Sequence, residues 1–526
     1  MSVAAATTRD GAVAAPLRRD AMLWTWLPPI LILGVAVVER HLVIGNADVS
    51  WEITLSEKIL DGQHLYTDLI ELNPPASVFF HVGAVAAARA LGWAPEIVVD
   101  AAIFLGALAG LGIFSQMVRH YRLLDALGGT AFAVFVLAVA TILPAQTFGE
   151  REHIALLAVL PALALSAARA KGVKPLLWHC LVAGAGAGIT ICIKPHFALA
   201  VVLAAAAAGI SLRSWRVLFA LENWIAAAIV VVYAISVAVF CRPFITDVMP
   251  LVADVYLPVR LPFVELLGSL PILLWISAVL VILGLGRDIA RHPLLLVLLA
   301  ASAGFAVAYF IQGKGWPYQS YPMLALAVIA LDLAGGLYRC AAAQTGEHDR
   351  FKRLCATAAF AVVGAWSFAW LNSAVDTRAA TAAVKRVAPP HPSIAVISDD
   401  IAIGHPLSRD VGGQWIAHAS SLWVTENAAI LRSAGGLDAA TARRLSAYTE
   451  AERQRTIDEI RDGRPDIILV DERPGRIAVN NRAARWSEWV EADLDLAALI
   501  ATDYQAVGRA DGVAILRRNS AAARVP

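Results

Sequence analysis

Charge is what this sequence has least of. Only 16% of its 526 residues are charged while 59% are hydrophobic, against about 25% charged and about 45–50% apolar in soluble domains. That excludes an ordinary soluble enzyme, because so many apolar residues must face lipid or one another. A basic surplus is missing too: 43 Lys and Arg stand against 42 Asp and Glu, which argues against a nucleic-acid partner. The five cysteines, Cys180, Cys192, Cys241, Cys340 and Cys355, lie in or beside apolar stretches with no CxxC pair. Neither a disulfide framework nor a thiolate metal site is suggested, and they read as small core residues. No cleavable leader is evident either. A polar start, residues 1–20 with Arg18 and Arg19, runs into an apolar stretch at 22–43, which matches the ~20 residues a bilayer requires and reads as a retained first span.

What is present is a series of such runs. Those at 97–118, 126–145, 153–169, 176–193, 196–212, 218–241, 267–285, 294–311, 321–339 and 356–374 bring the expected total to about eleven spans. A further run, 76–91, is short and preceded by Pro74-Pro75. Charge decides its placement. If it does not span and the N-terminus is cytoplasmic, Arg119 and Arg122, Arg169 to Lys174, Arg213 and Arg216, Arg287 and Arg291, and Arg339 to Arg353 all fall inside, as the positive-inside rule requires. The 76–91 segment is therefore expected to be juxtamembrane. This gives a cytoplasmic tail over 1–21, a membrane domain over 22–375 with an outer first loop at 44–96, and an extracytoplasmic domain over 376–526. That last region is richer in charge and holds β-like runs at Ser393–Ser398, Asp466–Asp471 and Gly512–Arg517 around a helical stretch near 438–463. The expected fold is thus mainly α: a polytopic helical membrane domain plus a small C-terminal soluble α/β domain, in the inner (cytoplasmic) membrane.

The polar chemistry gathers on the outer side. In the first loop, Trp51, Leu55 and Ile59 recur every four residues before Gly62, which predicts an amphipathic helix lying at the interface. Asp48 stands at its start, either as its N-cap or as a general base for an acceptor hydroxyl. Glu52, one turn on, shares its face. The second outer turn carries Glu150, Arg151, Glu152 and His153 in succession. Acids there cap a helix dipole, yet four ionisable residues exceed that need: Arg151 and His153 are candidates for a phosphate, the acids for a divalent cation or sugar hydroxyls. The third turn inserts Lys194 and His196 between two apolar runs, where a snorkelling lysine is the alternative. The fourth carries Gln312, Lys314 and Tyr318, with Trp316 and Tyr321 beside them; its aromatic residues fit an interfacial belt as well. Arg242, Asp254, Tyr256 and Arg260 add weaker signals.

These residues resemble the GT-C superfamily of integral-membrane glycosyltransferases, which includes protein mannosyltransferases, aminoarabinose transferases and oligosaccharyltransferases. The likeness lies in an acid soon after the first span (Asp48), a first-loop helix, the Pro74-Pro75 segment, the acids Glu150 and Glu152, and an outer C-terminal domain. The stretch from Leu60-Asp61-Gly62 through Leu65-Tyr66-Thr67-Asp68 to Asn73-Pro74-Pro75 is similar to first-loop sequences of bacterial lipopolysaccharide-type sugar transferases. Two features depart from particular branches: Asp48 is followed by Val49 rather than a second acid, and Asn73 stands where the aminoarabinose branch has lysine. The resemblance implies inverting transfer from a polyprenyl-phosphate sugar to a lipid, glycan or protein acceptor at the outer face. Asp48 would be the base, Arg151, Lys194, His196 and Lys314 would meet the donor phosphate, and Glu52, Glu150 and Glu152 would orient sugar or acceptor. Some members use a divalent cation. The rival expectation is a transporter or flippase of a lipid-linked sugar, which would need polar groups at mid-membrane, where this sequence has few.

Overall fold

The computed structural model of the chain describes residues 19–345, 350–479 and 482–519. The expected 1–21 tail falls, up to residue 18, outside the described residues, as does the end of the C-terminal region, 520–526. Eleven described helices correspond to the eleven apolar runs: α1 (Arg19–Leu42), α4 (Pro95–His120), α5 (Ala126–Thr141), α6 (Arg151–Ala170), α7 (Leu177–Ile193), α8 (Ala198–Leu212), α9 (Leu221–Phe240), α10 (Leu270–Leu285), α11 (Pro293–Gln312), α12 (Pro317–Thr345) and α13 (Arg350–Leu371). Between the first two lie α2 (Ala47–Leu60) and α3 (Pro75–Leu91). Among the described residues seven helices are long and apolar enough to cross a membrane, so the chain is an integral membrane protein. The run at 126–145 yields a helix only to Thr141, because Pro144 removes a backbone donor from the next turn.

The bundle is ordered around α6, whose apolar window is 72% buried, whereas that of α9 is only 6% buried. α9 is thus a lipid-facing rim and α6 an axis. Close approach to the axis depends on glycine: a Cβ on Gly186 of α7 would sit 2.1 Å from the Ala158 carbonyl of α6, and one on Gly304 of α11 would sit 2.4 Å from Cα of Ala200 in α8. Small residues at such crossings let helices pack where lipid supplies no hydrophobic drive.

The C-terminal region forms a five-stranded sheet in the order β2-β1-β3-β7-β6, from β1 (Ser393–Ile397), β2 (Gln414–Trp415), β3 (Ile467–Asp471), β6 (Tyr504–Ala510) and β7 (Val513–Arg518), beside a hairpin of β4 (Ile477–Val479) and β5 (Arg482–Ala484). β1 is parallel to β2 and β3, and the β7 and β6 pairings are antiparallel. β1 and β3 are nearly continuous apolar strands, as burial on both faces demands. The helix Ala439–Gly463 covers the sheet and is capped by the Asp438 carboxylate, which accepts from the Ala440 and Thr441 amides.

One expectation about α2 is corrected. Its Trp51 and Leu55 stripe does not meet lipid; it packs with Ile394, Val396, Ile467 and Leu469 of the sheet in one core. The opposite face, Val49 and Ile53, packs on Val85 and Val99 of α3 and α4. α1 turns by 82° into α2, so α2 lies across the end of the bundle, enclosed between helices below and sheet above. Polar clasps fasten the two parts. Arg409 donates to Glu57 and to Glu96, each at 2.5 Å, Lys58 to the Ala417 carbonyl at 3.0 Å, and Arg444 to Asp254 at 2.7 Å.

Candidate functional site

Asn46, not Asp48, caps α2: its side-chain oxygen accepts from the Val49 amide. Asp48 therefore sits inside the first turn with its carboxylate free of capping. The Asn46 amide also donates to the Gln146 carbonyl at 2.7 Å, and the Gln146 side chain donates to the Ile44 carbonyl at 2.6 Å. These reciprocal bonds stitch the first loop to the second. Gly149, at φ +84°, then turns the chain into α6, a conformation glycine adopts without strain.

The stitch brings Arg151 under α2. One guanidinium nitrogen donates to Glu52 Oε1 at 3.1 Å and the other to Asp48 Oδ1 at 3.0 Å, with Glu150 Oε2 at 3.6 Å. One residue on, Glu152 Oε1 accepts from Lys194 Nζ at 2.6 Å, and Lys194 also donates to Gln312 Oε1 at 2.9 Å. The Lys194 ammonium lies 5.5 Å from the centre of the Tyr318 ring. One cluster thus joins the first loop, the start of α6, the α7–α8 turn, the end of α11 and the start of α12. Asp48, Glu52, Glu150, Arg151, Glu152, Lys194, Gln312 and Tyr318 all belong to it.

The remaining expected residues stand apart. Both ring nitrogens of His153 are engaged by backbone, Nε2 with the Ala140 carbonyl at 2.8 Å and Nδ1 with the Gly149 amide at 3.0 Å. This imidazole shapes the turn and has no atom to offer a ligand. Lys314 donates to the carbonyls of Tyr256 and Val259, at 2.8 and 2.5 Å, and lies 3.9 Å from the centre of the Tyr256 ring, so it fastens the 242–262 segment. His196 sits edge-on to Phe197 at the α8 entrance, with its Nε2 buried and unpaired among the described residues.

Four carboxylates face two cations here, and the surplus acid is felt. Burial first, then the nearby Glu71, pushes the Glu52 carboxyl up to about 8 against the pull of Arg151. Burial and Asp48 likewise raise Glu150 well above the usual carboxylate range. Glu52 Oε2, Glu150 Oε1, Glu152 Oε2 and Arg151 Nε are buried without hydrogen-bond partners among the described residues. Only Asp48 is open to solvent, its side chain 28% exposed against 2% or less for the three glutamates. Each acid turns to a cation, and no three His, Cys, Asp or Glu side chains among the described residues converge as a metal set.

Three further contributors are Glu71 and Tyr256, which the sequence marks only weakly, and His81, which it does not mark. Glu71 is buried, accepts from the Trp51 indole at 2.8 Å and anchors Asn73 at 2.9 Å. His81 lies buried on α3 near Arg151. Tyr256 stands between Lys314 and the cluster, edge-on to Trp423 of the C-terminal domain. The sequence signal for Glu71 is its place beside Asn73-Pro74-Pro75; nothing in a short polar loop marks a buried acid.

No protein-family model matches the chain, and no curated protein matches it. Solved structures do, two of them over nearly the whole chain. The crystal structure of ArnT from Cupriavidus metallidurans bound to undecaprenyl phosphate is similar over 94% of this chain and 98% of that one, at 16% identity and a TM-score of 0.53. The apo structure of the same protein is similar over 95% and 99%, at 15% identity and a TM-score of 0.54. The likeness runs through both the helical and the sheet region, so the chain has the fold of that solved protein.

Proposed function

We propose that this chain is a membrane glycosyltransferase that moves a sugar, with inversion, from a polyprenyl-phosphate donor to a lipid, glycan or protein acceptor at the outer face of the inner membrane. The observation that carries the reading is the contrast within the cluster: three carboxylates are sealed against Arg151 and Lys194, while Asp48 alone is open on one side and held by Arg151 on the other. A general base needs that arrangement, a fixed carboxylate with one edge accessible to a hydroxyl. The solved neighbour bound to undecaprenyl phosphate supports a donor of that class.

In this reading the membrane domain spans 22–375, with the N-terminus inside and the 376–526 domain outside. Asp48 takes the acceptor proton as the hydroxyl attacks the anomeric carbon. The bond to the phosphate breaks on the opposite face, and the leaving phosphate is already a stable anion, so it requires positive charge rather than a general acid. Arg151 and Lys194 supply that charge, while Lys314, committed to the Tyr256 and Val259 carbonyls, and His196, whose ring is kept neutral by burial, shape the rim. Glu52, Glu150 and Glu152, sealed from solvent, hold these cations in place, and Gln312 and Tyr318 line the donor's sugar. His153 keeps the second turn in shape.

The test is sugar transfer from polyprenyl-phosphate donors by the purified Asp48→Asn variant. Turnover is expected to fall about 10²–10⁴-fold, the range for removing a general base, with the protein still folded. Wild-type turnover in a folded variant would remove Asp48 as the base.

A further inference from the structure

We infer that the donor phosphodiester is bound together with a proton held on the Glu52 carboxyl, so that Arg151 pairs either with Glu52 or with the phosphate. The inference rests on the donor class proposed above and assigns Glu52 as a positioning residue that acts through Arg151.

The geometry leads there because no cation of the cluster is uncommitted. The two terminal nitrogens of Arg151 are held by Glu52 and by Asp48, with Glu150 close behind, and Lys194 is held between Glu152 and Gln312. A bound phosphodiester would add a negative charge to four carboxyl groups facing two cations in a largely buried site, where like charges repel strongly. A carboxyl that takes a proton removes one charge, releases one edge of the guanidinium, and becomes a hydrogen-bond donor.

Among the four acids the structure favours Glu52. Asp48 must remain an anion to act as base, and Glu152 is held by an ammonium at 2.6 Å. Glu150 contacts Arg151 only at 3.6 Å, so protonating it frees less. Glu52 is buried, shares Arg151 with Asp48, and has Oε2 without a partner among the described residues. Its charged neighbours favour the neutral form, with one exception. Asp48 on its own helix and Glu71 from the first loop oppose its charge, Tyr66 adds a buried phenol, and His81 on α3 is kept neutral by burial; Arg151 alone draws it toward the anion. From α12, Tyr318 faces Asp48 and Glu150. The Glu52 carboxyl, pushed up to about 8, lies where such an exchange is readable in solution.

The probe is methyl undecaprenyl phosphate, a phosphodiester with no titrating proton of its own, bound to the full chain in nanodiscs. Its Kd is expected to stay level from about pH 6.5 to about pH 7.5 and then to weaken about tenfold per unit as Glu52 ionises. Calorimetry at about pH 8.5 in buffers of different ionisation enthalpy should report uptake of up to about one proton. Glu52→Gln, which stays neutral, should bind as tightly as wild type does at low pH and lose both the slope and the uptake. A level wild-type Kd with no proton uptake would overturn the inference while leaving the proposed donor class intact, and so would a Glu52→Gln variant that keeps the wild-type slope. Absence of binding at every pH would instead sink the donor class itself.

Discussion

At Lys194 a lysine that composition alone would assign to snorkelling is buried against Glu152, which has no exposure. A buried ion pair is costly to break because the surviving charge is left uncompensated, typically by about 3–5 kcal/mol. Lys194→Met should therefore lower stability by about that amount and also weaken donor use. Adding Glu152→Gln should recover most of the stability and none of the donor affinity. Recovery of both would make Lys194 a purely structural residue, as seen by thermal unfolding and donor titration side by side. Much of this cluster is legible in the chain itself, because Glu150, Arg151, Glu152, Lys194 and Gln312 all break long apolar runs at the same end. Glu71 is legible only as one loop acid among several, and His81 is not legible at all. A single acid in a polar loop looks the same whether it points to water or, as here, accepts from Trp51 in the interior. The pairing of Asp48 with Arg151, 103 residues away, is likewise a tertiary fact with no local trace.

At the scale of elements, α2 shows where pattern reading stops. Its four-residue apolar repeat correctly marks a helix with a buried face, but the repeat is identical whether that face meets lipid or protein. What decides is the sheet, whose Ile394, Val396 and Leu469 close over Trp51 and Leu55. The spans are readable because hydropathy is local, and β1 and β3 because they are short, apolar and rich in Ile and Val. The two-residue β2 and the β4–β5 hairpin carry too little sequence to signal themselves. The α2 joint also makes a pH prediction. His405 is fully buried between Trp51 and Trp415, its ring nitrogens both unpaired among the described residues, and burial together with Arg409 and Lys58 holds it at about 3. Because the unfolded chain binds the proton near 6.5 and the folded chain does not, stability present above 6.5 is lost as pH falls from there toward 3. At about pH 5 the loss should be about 2 kcal/mol. Thermal unfolding across that range should show it, and His405→Phe should flatten the dependence; an unchanged acid slope in that variant would place the titration elsewhere.

For the molecule as a whole, one architecture serves the chemistry. An axial helix begins with Glu150, Arg151 and Glu152, a crosswise helix lays Asp48 and Glu52 over it, and the sheet domain holds that helix down through Trp51, Arg409 and Lys58. The scarcity of charge that marks the sequence is what lets so few ionisable groups stand out as a cluster, since all of its acids but Asp48 are shielded from water. A reporter fused after residue 93 should lie outside the membrane; a cytoplasmic signal would reverse the orientation drawn from the basic turns. The central claim, that this cluster receives a polyprenyl phosphate, is tested most directly by a structure of the full chain with undecaprenyl phosphate. The phosphate density should lie between the first loop and the turns at 145–153, 193–196 and 312–320, within hydrogen-bond reach of Lys194 and Arg151. A phosphate seated at the opposite end of the bundle, or one that leaves Lys194 and Arg151 untouched, would contradict the account.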